Sequence, residues 1–148
     1  MLLGLDPLLG PEALATLRAM GHGDLLVLGD ANYPASSTAQ RLVRMDGATL
    51  PQALRAVLGV LPIDDFEPMP LVSMQVVGKP DVQPPIVAEM QRLVDRMVPG
   101  APRIAAVERF AFYALAKTAY AVFATGERAF YGNLILRKGV VPPPETPR

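Results

Sequence analysis

Four short stretches of the chain carry residues whose types and spacing suit proton transfer or the binding of a polar ligand. The chain has one histidine, His22, in Gly21-His22-Gly23-Asp24. An unperturbed imidazole titrates near neutrality, and glycines on both sides let a ligand approach the backbone, so His22 is a candidate general acid or base. A turn histidine that is solvated or bonded to backbone is the commoner case, and the local sequence leaves both readings open. Asp30 follows the apolar run Leu25–Gly29. Ligands of open α/β sheets bind outside the carboxyl ends of strands, where a carboxylate can accept hydrogen bonds from hydroxyls; the alternative is a local Asx-turn with Asn32. Arg109 sits among aromatics in Val107-Glu108-Arg109-Phe110-Ala111-Phe112-Tyr113. A guanidinium buried there needs a partner, either a ligand or, more commonly, an acidic side chain. Tyr131-Gly132-Asn133 offers a phenol and an amide around a glycine. These are directional donors and acceptors, or else simply a bulge or turn where a strand begins.

Other chemistries are poorly served. The chain has no cysteine and a single histidine, which removes disulfides, thiolate ligands and a Cys nucleophile and argues against zinc. There is no Gly-x-Ser-x-Gly elbow and no P-loop, and the Gly21/Gly23 pair lacks dinucleotide spacing. No metal and no cofactor is expected. Fourteen basic residues balance fourteen acidic ones without a basic run, so nucleic acid is not an expected partner. Met1–Gly10 lacks a basic start, and Asp6 and Pro7 interrupt its apolar run. No segment reaches the roughly 18 apolar residues of a membrane span. A cytoplasmic protein with no membrane partner is expected. Low net charge with 51% apolar residues is compatible with a homo-oligomer.

These residues need elements to position them. Helices are expected over Pro11–Met20, from the Thr49 cap through Leu61, over Pro85–Met97, and over Glu108–Thr118. Gly21 is expected to end the first of them in the left-handed conformation. Strands are expected over Leu25–Gly29, Arg41–Met45, Leu71–Val77, Arg103–Val107, Tyr120–Ala124 and Phe130–Leu136. Alternating helices and short apolar strands predict an α/β, single-domain sandwich with helices packed on a mostly parallel sheet, and the last two strands are expected to form an antiparallel edge pair. One domain over residues 1–141 and a proline-rich tail over 142–148 complete the expectation.

Together the motifs resemble a known family. Met20-Gly21-His22-Gly23-Asp24, Asp30-Ala31-Asn32-Tyr33-Pro34-Ala35, Arg109-Phe110-Ala111-Phe112-Tyr113, and Ala124-Thr125-Gly126-Glu127-Arg128 running into Tyr131-Gly132-Asn133 and Leu134–Val140 are similar, in order, to the L-fucose mutarotase and D-ribose pyranase family. The Arg-Phe-Ala-Phe-Tyr block looks like the fucose branch. The resemblance covers Leu2 to about Val141. It implies a metal-free isomerase of carbohydrate metabolism that interconverts the anomers of L-fucose, with ring-form exchange of ribose in part of the family. It also implies a ring-like homo-oligomer, typically a decamer, with sites near subunit contacts. His22 then corresponds to the proton donor, and Asp30, Arg109, Tyr131, Gly132 and Asn133 to sugar-binding positions, with Arg109 expected to favour an ionised Asp30. The alternatives are a same-fold pyranase acting mainly on ribose and a non-catalytic sugar-binding or transport-accessory protein. Ser36 stands where many members carry a second histidine, and Tyr33 where phenylalanine is common; Tyr113 and Tyr120 have no assigned role.

Overall fold

The computed structural model describes residues 1–100 and 102–144. In chain order the elements are α1 (Pro11–Ala19), β1 (Leu25–Gly29), α2 (Ala35–Thr38), β2 (Leu42–Met45), α3 (Leu50–Leu58), β3 (Leu71–Met74), α4 (Pro85–Met97), β4 (Ala105–Val107), α5 (Arg109–Ala116), β5 (Ala121–Thr125) and β6 (Leu134–Arg137). The expected elements are all present, and the short α2 is an addition.

Local chemistry explains most of the boundaries. The Thr49 hydroxyl accepts from Gln52 N–H while the Gln52 side chain accepts from Thr49 N–H, a closed capping box that starts α3. Pro85 occupies the first turn of α4, where its missing N–H has no helical partner to lose. The Glu108 carboxylate accepts from Phe110 and Ala111 N–H at 2.8 and 3.2 Å and so starts α5. Two boundaries differ from expectation for a visible reason. Helix α1 runs into an extended Met20, and the left-handed residue is Gly23 at φ 84°, two positions after Gly21. The final strand starts at Leu134 rather than Phe130 because Tyr131 has φ 62°, which no strand residue adopts.

The six strands lie in the order β2-β5-β1-β6-β3-β4. Strands β2, β5 and β1 are mutually parallel, as are β3 and β4, and β6 runs antiparallel to both β1 and β3. The sheet is thus mostly parallel, as expected, but β5 and β6 do not form an antiparallel edge pair. They flank β1 on opposite sides, and β6 is central. The reason lies in their side chains. Leu134, Ile135 and Leu136 are buried on both faces of the sheet, and a strand that is apolar on both faces belongs in its interior.

Alternation along β1 sends Leu26 and Leu28 to one face and Leu25 and Val27 to the other. The first face packs with Phe123, Leu134 and Leu136 under Leu50 and Leu54 of α3 and Met90 of α4. The second packs with Val122, Ile135 and Phe112 of α5. Helices therefore cover both faces, and β1 lies buried in the middle of three layers. The expected tail begins at Pro142, and its residues 145–148 lie outside the described residues.

Candidate active site

Strand β1 delivers Asp30 to the carboxyl end of the sheet, and Asn133, just before β6, lies beside it. The two residues bond reciprocally. Asp30 N–H donates to Asn133 Oδ1 at 2.9 Å, and Asn133 Nδ2 donates to Asp30 Oδ2 at 3.1 Å. The other carboxylate oxygen accepts from Asn32 N–H at 2.9 Å, so the Asx-turn also forms. Both side chains are buried. Burial raises the Asp30 carboxyl above the ordinary value, with the nearby Glu127 charge adding to it; the hydrogen bonds from Asn32 and Asn133 offset this only in part. A buried carboxyl shifted toward its neutral form beside a cavity is a candidate for acid/base or ligand work.

That cavity, of about 340 Å3, is lined by Asp30, Asn32, Tyr33, Met74, Tyr113, Phe130, Tyr131 and Asn133. Tyr33 and Tyr113 stack with ring centroids 6.1 Å apart, giving it an aromatic wall. The Tyr33 hydroxyl is buried without a hydrogen-bond partner among the described residues. The strained backbone of Tyr131 turns its side chain so that its phenol oxygen accepts from Val77 N–H at 3.1 Å. Gly132 is required by space: a Cβ there would lie 2.9 Å from Glu127 Cγ and 3.0 Å from the Ala129 carbonyl oxygen. Glu127 itself is anchored by Arg128 and Ala129 N–H, each at 2.8 Å, and by Leu50 N–H at 3.1 Å. Asp30, Tyr131, Gly132 and Asn133 are thus brought together.

Arg109 and His22 are not part of this cluster within one copy. Arg109 begins α5 just beyond β4, at the same end of the sheet as Asp30, but its side chain is exposed and lies over Phe110, with Cζ 4.7 Å from the ring centre. It does not hold Asp30 ionised, contrary to expectation, and the Asp30 carboxyl is raised rather than lowered. His22 precedes β1 and so sits at the opposite end of the strand. The four residue steps of β1 alone separate the two ends by about 13 Å, far beyond the reach of one proton transfer.

At its own end His22 has a defined setting. Its Nε2 lies 3.0 Å from Oδ1 of Asp64, and its ring meets Phe66 with centroids 5.4 Å apart. The imidazole is about half exposed, at 47%, while the Asp64 side chain is fully buried. A second cavity of about 610 Å3 opens here, lined by His22 together with Leu17, Arg18, Leu61 and Val140, among others. Sequence reasoning missed Asp64. It lies 42 residues from His22 in an irregular stretch, and nothing local separates it from its neighbour Asp65. Tyr113 and Met74 were also not assigned to the cavity, since only the packing of α5 against β3 brings them there.

Residues 3–141 match the RbsD / FucU transport protein family. The L-fucose mutarotase of Actinobacillus pleuropneumoniae serotype 5b (strain L20) is 42% identical over 142 residues, covering 96% of this chain and 99% of its own. The fucose mutarotase of Homo sapiens is 47% identical over 145 residues, covering 93% of each. The crystal structure of the fucose mutarotase from Streptococcus pneumoniae in complex with L-fucose superposes with a TM-score of 0.88 at 38% identity, over 95% of this chain and 99% of that one. Fold, motifs and near-full-length identity agree, and the chain belongs to the RbsD / FucU family.

Proposed function

We propose that the protein is a mutarotase, an isomerase that interconverts the α and β anomers of L-fucose. The observation that carries this reading is the Asp30 cavity. A carboxyl raised by burial, an amide, a phenol and an aromatic wall converge on about 340 Å3, a suitable set for orienting the hydroxyls and the apolar face of one monosaccharide. The relatives named as fucose mutarotases supply the sugar.

The reaction needs two proton movements. A base takes the proton from the anomeric hydroxyl, an acid protonates the ring oxygen, and the bond between C1 and the ring oxygen breaks. The open-chain aldehyde rotates about C1–C2, and closure on the other face reverses the proton transfers. Acid/base assistance of this kind contributes about 10²–10⁴-fold. His22 is the proposed proton carrier. Asp30, Tyr131 and Asn133 hold the sugar, and Gly132 keeps the backbone close.

Because His22 lies at the other end of β1, each complete site joins His22 of one copy to the Asp30 cavity of another, in a cytoplasmic ring-like homo-oligomer of decameric type. Exposed apolar side chains flank both ends, with Phe66 at His22 and Phe110 and Phe130 at the Asp30 end, surfaces suited to cover by a second copy. The test is NMR saturation transfer between the α and β anomeric protons of L-fucose. Faster exchange that is lost in His22→Ala supports the reading. No acceleration with L-fucose, ribose or galactose would instead mean a binding protein without catalysis.

A further inference from the structure

We infer that Asp64 is a positioning residue for His22, holding the neutral imidazole as the Nε2–H tautomer and leaving Nδ1 as the nitrogen that exchanges protons with the sugar. This rests on the reading of His22 as the proton carrier.

The geometry leaves the carboxylate few other roles. Asp64 is 1% exposed, and its Oδ1 faces His22 Nε2 at 3.0 Å. The same oxygen accepts from Phe66 N–H at 3.3 Å, and Oδ2 is buried with no partner among the described residues. Burial alone would raise this carboxyl. The hydrogen bond from His22, with help from the Phe66 backbone and the histidine's charge, outweighs burial and holds it below the ordinary value. An ionised carboxylate can only accept. The proton between the two residues must therefore sit on Nε2, and the neutral ring presents its lone pair at Nδ1.

Both partners are fixed in place. Asp64 N–H donates to the Arg137 carbonyl at 3.1 Å, and Gly139 N–H donates to the Pro62 carbonyl at 2.8 Å, tying the Asp64 loop to the end of β6. On the histidine side, Gly23 N–H donates to the Lys138 carbonyl at 2.8 Å, and Arg137 Nη1 donates to the Gly23 carbonyl at 3.1 Å. The Lys138 ammonium donates to the Met20 carbonyl, and Asp24 accepts from Gly21 N–H at 2.7 Å. Those charged neighbours are thus engaged with backbone, while Asp64 contacts the ring. The arrangement assigns Asp64 two tasks. It sets which nitrogen faces the sugar, and it supports the imidazolium that forms when Nδ1 takes the anomeric proton.

The chain has one histidine, so 15N-edited NMR of the ring reads it without assignment. In the wild-type protein at a pH where the ring is neutral, Nε2 is expected at a pyrrole-like shift and Nδ1 at a lone-pair shift; the reverse would overturn the proposal. This readout needs neither a variant nor a substrate, so it fails or succeeds separately from the reading of His22, which exchange by His22→Ala tests. Asp64→Asn keeps size and an acceptor. It is expected to lower kcat for fucose exchange by about 10–100-fold with KM little changed, as loss of an orienting partner does, and to mix the two tautomers. Wild-type kcat with an unmoved tautomer in a folded Asp64→Asn protein would remove the assignment.

Discussion

The separation of His22 from Asp30 leads to a subunit-mixing experiment with a definite magnitude. The four residue steps of β1 between Leu25 and Gly29 span about 13 Å, and proton transfer needs heavy atoms about 2.6–3.2 Å apart. Both ends of β1 are locked in the central sheet, so no side-chain motion closes that gap. A site shared between copies takes His22 from one and Asp30 from the other. His22→Ala and Asp30→Asn are each expected to exchange L-fucose anomers weakly. Asp30→Asn disturbs the bonds to Asn32 and Asn133 at about 1–3 kcal/mol each, which a domain of ordinary stability withstands. When the two variants are refolded together at equal amounts, a shared site is intact only if its histidine comes from an Asp30→Asn copy and its aspartate from a His22→Ala copy. Each choice has a chance of about one half, so about a quarter of the sites regain wild-type function. Saturation-transfer NMR on the mixture reads this directly. If the mixture contains hetero-oligomers by native mass spectrometry and exchange stays at the mean of the two parents, the two residues do not share a site across copies.

Four further outcomes follow from the geometry. Asn133→Ala removes both bonds of the reciprocal pair inside the buried cluster and is expected to lower the unfolding free energy by about 2–4 kcal/mol in urea titration. Gly139→Ala places a Cβ 2.6 Å from the Ile63 carbonyl oxygen and 2.9 Å from Asp64 Cα, so the Asp64 loop must move; a loss of about 1–3 kcal/mol and a changed His22 15N shift are expected. Tyr33→Phe removes a buried hydroxyl without a hydrogen-bond partner among the described residues, and a gain of about 1 kcal/mol in unfolding free energy should appear by thermal or urea denaturation. The Asp64 carboxyl lies below its ordinary value of 3.8 in the folded protein, so its ionised form is the stabilising one. Its contribution is present above that value and is lost as pH falls through the folded pKa, because the unfolded chain then binds the extra proton. The stability advantage of wild type over Asp64→Asn should therefore shrink below about pH 4 in acid denaturation series, and an advantage that grows there would reverse the sign of the argument.

The parts of the fold that were legible in the sequence are those decided locally. Thr49 with Gln52, Pro85 in a first turn, and the aspartate-bounded run of β1 each specify their element within a few residues. Sheet order is decided at long range, and adjacency in the chain misled: β5 and β6 follow one another yet are separated by β1. The unbroken Leu134-Ile135-Leu136 run already pointed to an interior strand, since an edge strand with one wet face alternates. The site divides in the same way. Asp30 and Tyr131-Gly132-Asn133 were legible because motifs carry them, and the structure joins them through one reciprocal bond pair. Arg109 does not join them within one copy, where its exposed guanidinium lies over Phe110. Asp64 was invisible, because its meaning depends on an encounter with His22 across 42 residues.

The antiparallel placement of β6 is what builds both half-sites from one rigid pair of strands. His22 precedes β1 and Asp30 follows it, while antiparallel β6 is preceded by Asn133 and leads through Arg137 to Lys138. Asn133 therefore meets Asp30 at one end, while Arg137 and Lys138 clasp the His22 turn and the Asp64 loop at the other. A parallel β6 would have placed Asn133 beside Leu25 and separated it from Asp30. The two ends are held apart by the buried ladder, so on the proposed reading of His22 and Asp30 a complete site needs the His22 end of one copy matched to the Asp30 end of the next. Contact between unlike ends is satisfied by two copies side by side in opposite directions or by a ring that closes on itself. In both cases every copy donates each half once, so sites equal subunits in number, and the expected recovery of about a quarter in mixed assemblies holds whichever closed symmetry the protein adopts.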